Sequence, residues 1–208
     1  MAYGTFTSYE EVATRFKIKF VEIAFLQEQE FSIQEEMFNF IQYNLQLRRY
    51  HLNEYVIGES IIFPILSVIA RQNDLPLWSH IRFDVTEQDG LIGIPDYIIA
   101  PASDIGTTFT RPVICIAEAK RDNFNEGWAQ ALAEMIAAQR FNQDEFMEIF
   151  GIVTTGNFWQ FAKLQHDIFT MNTVAYSASD NLHKLLNTLH WVFNEARRNI
   201  TKMPNMVN

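Results

Sequence analysis

The sequence predicts one α/β domain, a mixed β-sheet flanked by helices with an N-terminal helical cap. Three observations lead there. Hydrophobic residues make up 48% of 208 residues, enough for a real core, and at about 150 residues per domain the chain fits a single unit. Apolar residues recur at helical spacing up to Pro76, alternate with period two after it, and return to helical spacing near residue 125. Gly and Pro are few and scattered, so no linker marks a second domain. Residues 1–52 read as a helical extension packed on a core of residues 53–208.

Ser8, with Glu11 three residues on, signals a capped helix over 8–16. Residues 17–25 alternate and read as extended. A second helix is expected from Ser32 to Arg49, with Ser32 as cap, Glu35 and Glu36 in the first turn, and Arg48 and Arg49 in the last. A longer helix over 53–73 starts at Asn53, carries Glu59 in an apolar run, and is expected to kink at Pro64. Strands are expected over 79–87 and 94–100, joined through Asp89-Gly90, a hairpin signal. Residues 101–111 are loop-like. Residues 112–120 are apolar on both faces, as in a central strand. A helix over 125–141, a strand over 149–155, a turn at Gly156-Asn157 into a further strand, a short strand near Ile168 and a closing helix over 180–200 complete the order.

Charge and composition narrow the function. Sixteen Lys and Arg against 25 Asp and Glu give a net charge of −9, which argues against a protein that coats polyanions. The single cysteine, Cys115, makes no internal disulfide or Cys-rich zinc site. No basic-then-apolar leader is seen at the start, and no stretch approaches the roughly 18 apolar residues of a membrane span, so the expected setting is a reducing cytoplasm. The five His show no paired ligand spacing, and no Gly-rich phosphate loop is present. Trp159 and Phe161 fit core packing better than a base-stacking platform.

Three charged residues do not suit their surroundings. Asp96 lies in IPDYIIA, on the face of Ile94 and Ile98. Glu118 and Lys120 end PVICIAEAK, on the face of Ile114 and Ile116. A buried carboxylate needs a cation or hydrogen bonds. Adjacent strands would set Asp96 beside Glu118, and a hard divalent ion such as Mg²⁺ would relieve their repulsion. Lys120 could act there on a water or a phosphate oxygen, which is the chemistry of metal-assisted phosphodiester hydrolysis. The plainer alternative is an ion pair at a strand end.

Pro95-Asp96 followed by Glu118-Ala119-Lys120, with Glu118 22 positions after Asp96, resembles the PD-(D/E)xK nuclease superfamily. The resemblance covers roughly residues 53–160, and GIPDYII, CIAEAK and FGIVTTGNFWQF look like bacterial members near the type I restriction branch. It implies a restriction endonuclease-like fold and an endonuclease that cuts DNA, rather than RNA, with Mg²⁺, or Mn²⁺ as substitute. It further implies metal ligation by Asp96, Glu118 and the Ala119 carbonyl, with Glu59 as an extra acidic ligand. Lys120 is implied as catalyst, and Gln130 as a contact to DNA or water, with Gln139 competing for that place. The acidic charge leaves two further expectations: a homodimer or basic partner subunit that supplies the positive surface, or a nuclease-fold binding or assembly module with little or no hydrolysis.

Overall fold

The described chain, residues 3–202 of a computed structural model, opens on a 3₁₀ turn (Tyr3–Thr5) that leads into a capped helix. Residues 1–2 and 203–208 of the two expected segments lie outside it. Ser8 Oγ accepts the Glu11 N–H at 3.2 Å and fixes the start of α1 (Tyr9–Phe16), as its spacing predicts. The chain then enters β1 (Lys19–Glu22), so the first fifty residues supply a strand as well as helices.

The second helix, α2 (Glu35–Gln46), begins later than Ser32 and has no side-chain cap. Asn187 explains the delay: its carbonyl accepts from Gln29 N and its Oδ1 from Phe31 N at 2.9 Å, which holds the incoming chain extended. Arg48 and Arg49 fall beyond α2, in a 3₁₀ turn over Arg48–His51.

Asn53 Oδ1 accepts from Val56 N and starts α3 (Glu54–Ile57), which runs through a π turn (Gly58–Ile62) into α4 (Phe63–Gln72). The strain expected at Pro64 is taken up by that widened turn. Pro64 has no N–H for the Ser60 carbonyl four residues back, and the buried Asn44 of α2 donates to it instead, at 2.8 Å.

The expected strand over 79–87 is mostly absent. β2 is only Leu77–Ser79. His80 turns left-handed (φ +53°) and ends it. Phe83 N and Val85 N still reach the carbonyls of Gly93 and Leu91 around the Asp89-Gly90 turn, giving an irregular hairpin. The expected strand over 94–100 shortens to β3 (Tyr97–Ile99), which leaves Asp96 in a bend just before it. Next come β4 (Cys115–Ala119), α5 (Phe124–Asn142), β5 (Ile149–Thr154), β6 (Phe158–Gln165), β7 (Ile168–Met171), the two-residue β8 (Tyr176–Ser177) and α6 (Leu182–Lys202). β8 has no counterpart in the sequence reading.

These strands form one eight-stranded mixed sheet in the order β1-β7-β6-β5-β4-β3-β2, with β8 on β6. The pairs β4–β5 and β1–β7 are parallel and the rest antiparallel. Every residue of β4 and β5 is buried, because the sheet is covered on both sides. On one face Ile116 and Val153 pack with α5 through Trp128 and Met135, and with Val12 of α1. On the other, Tyr97, Ala117, Phe150 and Trp159 pack with Ile61, Ile65, Leu185 and Leu189. Trp159 and Phe161 are thus core residues. No described helix is long and apolar enough to cross a membrane.

Candidate functional site

Strand register brings the suspected residues together. Tyr97 stands opposite Ala117 in the antiparallel β3–β4 pair, so Asp96 and Glu118, one step further on, face each other. Their side chains interlock with the opposing backbone. Asp96 N–H donates to Glu118 Oε1 at 3.1 Å, and Ala119 N–H donates to Asp96 Oδ2 at 2.8 Å. Lys120 lies one residue past β4, yet its N–H still reaches the Thr154 carbonyl at 2.9 Å, which continues the parallel pairing.

The side chain of Lys120 turns toward α5. Its Nζ donates to Gln130 Oε1 at 3.1 Å and lies 3.8 Å from Glu118 Oε2. Gly127 permits this approach: a Cβ there would sit 2.5 Å from Val153 Cγ1 and 2.9 Å from Lys120 Cγ. Helix α5 therefore lies close enough to β4 and β5 to hang Gln130 over the end of β4.

The site opens outward from a dry floor. The Glu118 side chain is wholly buried, whereas those of Lys120 and Asp96 are 16% and 23% exposed. Each carboxylate gives one oxygen to a backbone N–H. Of the other two, Asp96 Oδ1 faces His80 Nε2 at 3.5 Å, and Glu118 Oε2 accepts no hydrogen bond.

A further acid, Glu134, was not singled out in the sequence. It is fully buried on α5; its Oε1 accepts from Gln130 Nε2 at 3.1 Å, and its carboxyl lies within hydrogen-bonding reach of that of Glu118. A signal was present: Glu134 is the one charged residue in the run WAQALAEMIAA, four residues after Gln130 and so on the same helix face.

Burial is the main force on these groups. It raises the Glu118 carboxyl well above its usual range, the charges of Glu134 and Asp96 and the hydrogen bond with Glu134 add to this, and Lys120 opposes it. Burial likewise pushes Glu134 up to about 8. For Lys120 burial alone would lower the value, but Glu118, Asp96, Glu54 and Glu134 outweigh it and the ammonium is favoured. The Tyr97 phenol is raised by burial, then by Asp96, Glu59 and Glu118.

Glu59 is not brought into this cluster. It is exposed on the π turn, on the Tyr97 side of the sheet, whereas Glu118 faces α5. No hydrogen bond or ion pair joins it to Asp96, Glu118 or Lys120 among the described residues. Sequence spacing placed Glu59 in the preceding helix but could not say which sheet face that helix covers. Glu54 comes nearer, accepting from Arg121 N at 3.1 Å. Of the two glutamines, Gln130 is at the site; Gln139 lies further along α5, where its Nε2 donates to the Glu145 and His166 carbonyls. The Arg121 side chain pairs with Asp122, in solvent.

The donor set suits a hard cation in kind: two carboxylates, each with one oxygen not bound to a backbone N–H, and the adjoining Ala119 carbonyl. Mg²⁺ commonly takes one or two carboxylates and fills its remaining positions with water and substrate oxygens. Among the described residues, no group of three or more His, Cys, Asp or Glu is arranged to hold a metal ion, so two protein carboxylates are what the site offers. A cavity of about 630 Å³ lies elsewhere, lined in part by Phe16, Arg140, Phe146 and His166. Several of its polar groups are already paired, Arg140 with Asp89 and Asp167 with Lys19. Compared with known proteins, the chain matches no family, no curated protein and no solved structure.

Proposed function

We propose that this chain is a Mg²⁺-dependent endonuclease with a restriction endonuclease-like core, hydrolysing phosphodiester bonds of DNA in the cytoplasm. One observation supports the reading most: Asp96 and Glu118, locked across neighbouring strands, share a partly open pocket with Lys120. A simple strand-end ion pair explains Lys120 beside Glu118. It does not explain a second carboxylate, Asp96, locked onto the same spot through backbone N–H groups.

Asp96, Glu118 and the Ala119 carbonyl would hold the ion, with Mn²⁺ as substitute. The bound ion would supply Lewis-acid charge against the scissile phosphate. The Lys120 ammonium, at the mouth of the pocket, presents N–H donors to a phosphate oxygen or to the attacking water. Gln130 holds that ammonium in place. Glu118, anchored by Asp96 N–H, keeps its remaining oxygen toward Lys120.

Cleavage of plasmid DNA in Mg²⁺ and in Mn²⁺ tests the proposal. The wild-type chain is expected to cut, and Glu118→Ala and Lys120→Ala to lose about a hundredfold or more. Equal cleavage by all three, or none by the wild type, would overturn it.

The net charge of −9 favours a second reading, a nuclease-fold module that binds or assembles without hydrolysis. Calorimetric titration separates the two, since such a module has no need to bind Mg²⁺ or Mn²⁺ at Asp96. Under the nuclease reading, a homodimer or a basic partner subunit supplies the positive surface for the DNA backbone.

A further inference from the structure

We propose that Glu134 is a positioning residue that fixes the polarity of Gln130 and thereby holds the Lys120 ammonium in the site. The role in catalysis rests on the nuclease reading; the positioning itself does not.

The argument begins with what each group can do. A Lys ammonium only donates, so it must meet the oxygen of the Gln130 amide, and the 3.1 Å contact is to Oε1. That choice turns the Nε2 group inward, into a region where it needs an acceptor. Glu134 Oε1, one helical turn along α5, provides it at 3.1 Å. Without an acceptor at 134 the buried Nε2 would be a donor with no partner, a cost relieved only when the Gln130 side chain leaves this position. Lys120 would lose its tether and its place 3.8 Å from Glu118 Oε2.

A second observation points the same way. Glu134 is completely buried among Ala131, Leu132, Met135 and Ala138 of an otherwise apolar helix run, where its carboxyl meets only Gln130 and the Glu118 carboxyl. A hydrocarbon side chain of similar size would fill such a place at lower cost. Packing alone gives no reason for an acid there, whereas the Gln130 tether and the hydrogen bond with Glu118 do.

The comparison uses the full chain as wild type, Glu134→Gln and Glu134→Leu. Glu134→Gln keeps an oxygen that accepts from Gln130 Nε2; Glu134→Leu does not. The first readout is the ¹⁵N–¹H signal of the Lys120 ammonium, assigned by its absence in Lys120→Ala. A held, sheltered ammonium exchanges slowly enough to be seen. The signal is expected in wild type and in Glu134→Gln, and is expected to vanish in Glu134→Leu. Persistence in Glu134→Leu, or loss in both variants, would overturn the proposal. Should Glu134→Leu fail to fold, Gln130→Leu takes its place: loss of the signal supports the tether and persistence overturns it. The second readout is DNA cleavage in Mg²⁺, where kcat is expected to fall about ten- to a hundredfold in Glu134→Leu with KM unchanged, and Glu134→Gln to recover most of it. If the wild type does not cut DNA, the nuclease reading falls while the ammonium signal still decides the positioning role.

Discussion

Glu118 and Glu134 put two carboxyl groups where water does not reach, and burial favours their neutral forms. This has a consequence for stability. In the unfolded chain a Glu titrates near 4.5, while in the fold Glu134 is pushed up to about 8 and Glu118 is raised as well. Between those values the folded state binds more protons than the unfolded one, so stability falls as pH rises. The contribution is fully present below about 4.5 and is lost as pH passes through about 8. Melting temperature followed by circular dichroism is expected to drop by several degrees from pH 5 to pH 8, and the slope to flatten in Glu134→Leu. An unchanged slope in that variant would assign the pH dependence to other groups. At this scale the sequence was readable where a charge interrupts an apolar strand, as with Asp96, Glu118 and Lys120. Glu134 obeys the same rule, in a helix run that is apolar all round and so buried, although a Glu on a helix ordinarily faces solvent.

At the level of elements, local signals and tertiary contacts divide the account. The capped helix α1, the central strands β4 and β5 and the crossover α5 follow from side-chain period and caps, and the structure has them near the expected bounds. Of three departures, two have long-range causes and one, at His80, a local one. Asn187 holds residues 29–31 extended and delays α2. His80, in the left-handed region, ends β2. The π turn before Pro64 depends on Asn44, a residue 16 positions away from the carbonyl it serves. This last case is testable. Asn44→Ala leaves the Ser60 carbonyl without its donor and is expected to cost about 1–2 kcal/mol in urea denaturation. In a Pro64→Ala background a backbone N–H becomes available at that carbonyl, so the same substitution is expected to cost less than half as much. Equal costs in both backgrounds would separate Asn44 from the proline.

At the scale of the whole molecule, the sheet order decides what the site can be. Parallel β4 and β5 require a crossover, and α5 supplies it directly above the end of β4. Antiparallel β3 brings Asp96 to the same end from the other side. The mixed sheet flanked by helices was legible from the order of the elements, whereas the face covered by each helix was not, which is why Glu59 was expected in the cluster and stands outside it. The chain's charge of −9 sets the other boundary: a nucleic-acid backbone needs cations that this surface holds only sparsely, which gives a second copy or a basic subunit its place in the proposal. The pocket's chemistry comes before that question, because all of it depends on whether Asp96 and Glu118 accept a divalent ion together. The most direct measurement is a crystal structure of the full chain grown with Mn²⁺, with data collected at a wavelength where manganese scatters anomalously. The account predicts an anomalous peak within coordination distance, roughly 2.0–2.6 Å, of both the Asp96 and the Glu118 carboxylates. Full-occupancy manganese elsewhere on the protein, with no peak between those two side chains, would contradict it.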